Sequence, residues 1–166
     1  MKAILASAAI ALAIAAPLPA LAADPDYVTI VLTKDVNQTP DKTWAKIGPY
    51  CAIQDWFKLP CSIASGDGKS VGTVRNLKRD NNTIVEVMVA KTPWSYTYTQ
   101  PSTTILYHGT LAVEPADGGK HTKIVYTLFY DPTSLGTPDK IAADKDSRTK
   151  RFNDGLDAMK ALAEAQ

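Results

Sequence analysis

The sequence predicts an α+β chain in which an antiparallel sheet of six to seven strands is followed by one long C-terminal helix. Two observations carry this. From Ser62 to Tyr130 short β-branched and aromatic runs alternate with turn residues, whereas Asp139 to Ala165 is free of proline, holds one glycine and is rich in alanine, lysine and acids. A third, the pair Thr39-Pro40 followed by Gly48-Pro49, predicts short helical structure between the first strand and the rest.

The elements follow in order. Tyr27 to Thr33 is β-branched and apolar enough for a first strand. Thr39 then reads as an N-cap, Pro40 as the first helical position and Asp41 as an acid near the positive end of the helix dipole. Gly48-Pro49 stops that helix, and a second small one is expected over Ala52 to Phe57 before Pro60. Strands are expected over Ser62–Ser65, Val71–Leu77, Thr83–Ala90, Ser95–Thr99, Ile105–Val113 and Thr122–Tyr130. The turns between them are Gly66-Asp67-Gly68, Asp80-Asn81-Asn82, Thr92-Pro93, Gln100-Pro101-Ser102 and Asp117-Gly118-Gly119. Loops this short require antiparallel neighbours. In the last helix Phe152, Leu156, Met159 and Ala163 form an apolar stripe in the second half, while the first half, with Asp144, Arg148 and Arg151, reads as polar and wetter.

The first 22 residues read as a secretory signal peptide. Lys2 gives a charged start, Ala3 to Ala16 an apolar run, and Ala20-Leu21-Ala22 a cleavage site. That run is too short for the ~20 residues of a spanning helix; an uncleaved anchor is the alternative. Residues 23–166 then form a single domain with a periplasmic or secreted location and no stable membrane insertion. Of 18 lysines and arginines only Lys2 is lost, leaving 17 against 17 acids. A net charge of zero excludes the basic footprint of a nucleic-acid binder.

Cys51 and Cys61 are the two cysteines, and in an oxidising compartment they are expected to form one disulfide; two separate buried thiols are the alternative. No histidine lies near enough to make a metal set, and no cofactor motif is present: no metal site or cofactor is expected. His108 and His121 read as surface residues.

Alternation sorts the strands into faces. Lys123 marks one face of the last strand as outward, so Ile124, Tyr126, Leu128 and Tyr130 point inward, and Tyr107, Gly109, Leu111 and Val113 do the same next to them. Glu86 is placed inward because Arg75 can reach it across a hairpin near Asn81-Asn82. With Tyr96 and Tyr98 the inner face holds a cation, an anion and several phenols among aliphatic side chains, the composition of a small-molecule pocket. The other reading of the same residues is a structural ion pair and a tyrosine core. The outward row Val85, Val87 and Val89 leaves an apolar patch and a third possibility, a protein-interaction or stress-related module.

The order of these residues resembles the Bet v 1, START and polyketide-cyclase (SRPBCC) superfamily and its helix-grip fold, in which a curved antiparallel sheet wraps a long terminal helix. The resemblance covers nearly all of residues 23–166. It rests on Trp44 and Trp56-Phe57 after the first strand, Gly72-Thr73-Val74-Arg75, Ile84 to Val89, Trp94 with Tyr96-Thr97-Tyr98, and Leu106-Tyr107. Arg75, Glu86 and Tyr107 are also similar in kind to the pocket residues of plant abscisic-acid receptors. The gate-loop proline and latch histidine of those receptors have no counterpart at Lys78–Asn82 or Gln100–Thr104. Exported bacterial members of the polyketide-cyclase-like group are the most similar.

The resemblance implies an internal cavity for a hydrophobic, amphipathic or aromatic molecule. Trp56, Phe57, Met88, Tyr96, Tyr98, Tyr107, Tyr126 and Phe152 are the expected apolar and phenolic contacts, and Arg75 with Glu86 the orienting pair. The enzymatic alternative is a cyclase or dehydratase with Glu86, Arg75 and Tyr107 as candidate catalytic residues.

Overall fold

The computed structural model describes residues 26–165. The signal-peptide expectation falls on residues outside this range. Seven strands form one antiparallel sheet: β1 (Val28–Val36), β2 (Cys61–Ser65), β3 (Val74–Arg79), β4 (Asn82–Thr92), β5 (Ser95–Thr99), β6 (His108–Ala116) and β7 (His121–Tyr130). Their order across the sheet is β1-β7-β6-β5-β4-β3-β2. Everything from β2 onward is a meander, and β1 closes it by pairing with β7 from Val28↔Tyr130 to Val36↔Thr122.

Three α-helices accompany the sheet: α1 (Pro40–Ile47), α2 (Ile53–Trp56) and α3 (Pro138–Glu164). Pro40 and Pro138 each occupy the start of a helix, where the missing N–H removes no intrahelical bond. Thr39 stands at the N-cap with extended dihedrals, yet its side chain makes no capping bond. At 27 residues α3 is about 40 Å long, and it lies in the concave face of the curved sheet, the helix-grip arrangement.

The inward row is continuous from strand to strand: Leu77, Met88, Tyr96, Tyr98, Leu111, Ile124, Tyr126, Leu128 and Tyr130 are buried and share one core with Phe152, Leu156, Met159 and Ala163 of α3. Glycines at Gly109 and Gly155 let aromatic rings of the interior approach the backbone. A Cβ at Gly109 would collide with the Tyr98 ring, its cross-strand neighbour, and one at Gly155 would collide with the Phe57 ring that packs under α3.

Two predicted strands start later than expected. Gly72, at φ +90°, belongs to the turn, so β3 begins at Val74 and not Val71. Leu106, at φ +49°, breaks the extended run, so Ile105 to Tyr107 form a loop before β6. On the outer face Val85 and Val87 are half-buried and Val89 is exposed. Cys51 and Cys61 form a disulfide with Cα atoms 5.4 Å apart, fastening the turn before α2 to edge strand β2. No helix among the described residues is long and apolar enough to cross a membrane.

Candidate functional site

The antiparallel register of β3 and β4 places Arg75 directly opposite Glu86, both inward. Both are almost wholly withdrawn from water: Arg75 is 0 % and Glu86 2 % exposed. Arg75 Nε donates to Glu86 Oε2 at 2.8 Å, and Nη2 lies 2.6 Å from the same oxygen without the alignment of a hydrogen bond. Nη1 donates to the Tyr50 carbonyl. The guanidinium also faces the rings of Tyr50, Tyr98 and Tyr96, at 4.1, 5.1 and 5.7 Å from their centroids. The other carboxylate oxygen, Glu86 Oε1, accepts from Gln100 Nε2 at 2.8 Å. Burial disfavours the Arg75 charge, but Tyr96 and Glu86 outweigh it and raise its pKa above the ordinary arginine value.

This cluster divides the interior in two. Beyond it, toward the β4–β5 turn, a cavity of about 330 Å³ is bounded by Trp44, Tyr50, Met88 and Tyr96. On the other side, under the first half of α3, a cavity of about 280 Å³ is bounded by Phe57, Leu77, Ile84, Tyr98, Tyr107 and Phe152, with Glu86 and Gln100 in its wall. Of the expected orienting pair, Glu86 borders the space under α3 and Arg75 stands behind it. Arg75 lines neither space: its Nε and Nη1 are engaged by Glu86 and Tyr50, and aromatic rings cover its guanidinium.

The remaining expected contacts distribute unevenly. Phe57, Glu86, Tyr98, Tyr107 and Phe152 meet at the cavity under α3. Met88 and Tyr96 belong to the other one. Trp56 is buried against Phe57 and Tyr126, at 4.7 and 6.3 Å between centroids, and borders a rim groove outside Phe57. Tyr126 is sealed behind Tyr98, whose hydroxyl lies 2.9 Å from its own, and lines neither cavity.

Sequence reasoning missed Tyr50 and the roof. Tyr50 belongs to no periodic element, so no pattern announced its ring and carbonyl on Arg75. The roof is the polar half of α3. Asp144, Arg148 and Arg151 cover the cavity mouth, and Arg79 approaches it from the end of β3. Arg148 donates to Asp144 at 2.7 Å and lies 4.5 and 5.3 Å from the ring centroids of Tyr130 and Tyr107. Burial pushes the Asp144 carboxyl up, but the Arg148 hydrogen bond and charge hold it below its usual value. Around the cavity burial pushes the phenols up: Tyr107 to about 12, and Tyr98 and Tyr126 well above their ordinary value. At neutral pH these hydroxyls are protonated, able to donate a hydrogen bond and poorly suited to accept a proton.

Comparison with known proteins decides the family. Residues 27–164 match the family model described as polyketide cyclase / dehydrase and lipid transport. The chain belongs to that family. Within the wider Bet v 1-like group its fold is similar to a solution structure from Thermobifida fusca (TM-score 0.70, 19 % identity, covering 81 % of this chain and 92 % of the other). It is also similar to XoxI from Bacillus cereus (TM-score 0.68, 19 % identity, 82 % and 96 %) and to Ara h 8.0201 (TM-score 0.59, 17 % identity, 82 % and 97 %). At these identities the likeness is one of fold. No curated protein sequence matches the chain.

Proposed function

We propose that this family member binds and carries a small amphipathic molecule in the cavity under α3, in the periplasm or outside the cell. The observation that carries the reading is a space of about 280 Å³ whose wall combines the apolar side chains of Phe57, Leu77, Ile84 and Phe152 with a comparable set of polar ones, among them Glu86, Gln100, Thr103 and Arg148. That volume lies near the small end of the roughly 300–1,000 Å³ of small-molecule sites, so a compact ring system or short chain suits it better than a long lipid. The Cys51–Cys61 disulfide and the reading of the first 22 residues support an oxidising compartment.

Phe57, Tyr98, Tyr107 and Phe152 serve as contacts, and Glu86 through its free lone pairs, or Gln100, accepts or donates to a hydroxyl of the guest. Arg75 acts through Glu86 by holding its carboxylate in place. The family description also favours a second reading, cyclisation or dehydration of a bound substrate with Glu86 and Tyr107 in reach of it. Carriage suits the residues better, since both Glu86 oxygens already accept hydrogen bonds and the phenols hold their protons. Native mass spectrometry of protein purified from its own exporting cells, joined to titration with a neutral solvatochromic dye, tests the proposal. A co-purifying small molecule and saturable dye binding are expected; absence of both overturns it. Turnover of a polyketide substrate, lost in Glu86→Gln with affinity kept, would establish the catalytic reading instead.

A further inference from the structure

The rim of the cavity under α3 carries more positive charge than it balances. Arg148 is committed to Asp144 and stacked against Tyr107 and Tyr130. Arg79 and Arg151 have no ion-pair partner among the described residues. Arg151 Nε is buried and donates to nothing, although such groups are nearly always paired. Both arginines also border the adjoining groove outside Phe57, so they stand where the cavity, with Phe57 and Phe152 in its wall, meets the surface. Burial first, then the like charges of Arg79 and Arg148, press down the pKa of the Arg151 guanidinium. An anion seated there relieves both.

Resting on the binding reading above, we infer that the guest is an amphipathic anion, its apolar body in the cavity and its carboxylate, sulfonate or phosphate held at the rim by Arg79 and Arg151. The planar guanidinium fork suits all three groups, and placing it beside an apolar wall selects molecules that carry charge at one end only. A neutral guest leaves Arg151 Nε without its acceptor, and a small inorganic anion leaves the cavity unfilled.

Fluorescence titration with anilinonaphthalene sulfonate and with phenylnaphthylamine, the same ring system without the charge, separates the two claims. The wild-type protein is expected to bind the sulfonate about tenfold more tightly, the strength of one charge-assisted bond. Arg151→Gln and Arg79→Gln are each expected to remove most of that preference and leave phenylnaphthylamine affinity unchanged. Equal wild-type affinity for the two dyes, or variants that weaken both alike, overturns the anion site and leaves the cavity reading standing. Failure of both dyes to bind overturns the cavity reading and this inference with it. Circular dichroism of each variant checks the fold, and should Arg151→Gln not fold, Arg79→Gln reads the same preference.

Discussion

Replacing Glu86 by glutamine removes one charge from a pair almost wholly withdrawn from water and leaves nearly every atom in place. The amide can still accept a bond from Arg75 Nε, and the cation keeps the rings of Tyr50, Tyr96 and Tyr98 and the Tyr50 carbonyl. What is lost is the counter-charge of a guanidinium 0 % exposed. Breaking a buried pair from one side costs about 3–5 kcal/mol, a large part of the ~5–15 kcal/mol that holds a domain together. With a urea m-value of roughly 1–3 kcal/mol/M, the unfolding midpoint is expected to fall by about 1–5 M at unchanged m. Arg75→Met combined with Glu86→Gln removes the stranded charge as well, so the double variant should lie well above the sum of the two single losses. A midpoint shift under about 0.5 M for Glu86→Gln, or a fully additive double variant, refutes the view that the two groups are energetically coupled as a buried ion pair.

Three further outcomes are expected. Reducing the Cys51–Cys61 disulfide, or replacing both cysteines by alanine, should lower stability by about 3 kcal/mol, the loop-closure value for a crosslink spanning ten positions, read by urea unfolding with and without reductant. Gly109→Ala should displace the Tyr98 ring and cost about 1–3 kcal/mol, with a changed near-ultraviolet circular dichroism spectrum; an unchanged spectrum would contradict the contact. Tyr107 in the folded chain ionises near 12 against 10.0 for a free phenol, so the native state holds the proton more tightly. Its contribution is whole below pH 10 and is lost as pH rises toward 12, up to about 2–3 kcal/mol, and unfolding midpoints at pH 8 and pH 11 should show the fall.

The register and the inward rows were legible because both follow from short-range rules. A turn at Asp80-Asn81 fixes which residues oppose one another, and that alone sets Arg75 against Glu86. One lysine, Lys123, orients a whole strand, and through pairing it orients Tyr96 and Tyr98 two strands away. The starts of β3 and β6 were misjudged because Val71 and Ile105 are good strand formers next to residues at positive φ, Gly72 and Leu106. The roof was illegible for another reason. Arg148 and Arg151 occupy polar positions of a helix, and their long stems find cover only because Tyr107, Tyr130 and Phe57 arrive from distant parts of the chain. Helical periodicity assigns such residues to solvent, and the division of the interior by Tyr50 likewise depends on a carbonyl that no pattern marks.

The covalent bridge has a consequence for how shape is chosen. Cys51 adjoins Tyr50, and Cys61 opens β2 opposite Leu77, so the crosslink tethers the internal bulkhead to the sheet margin that supports it. For the binding proposed above, the crosslink keeps the rear wall standing before any guest arrives.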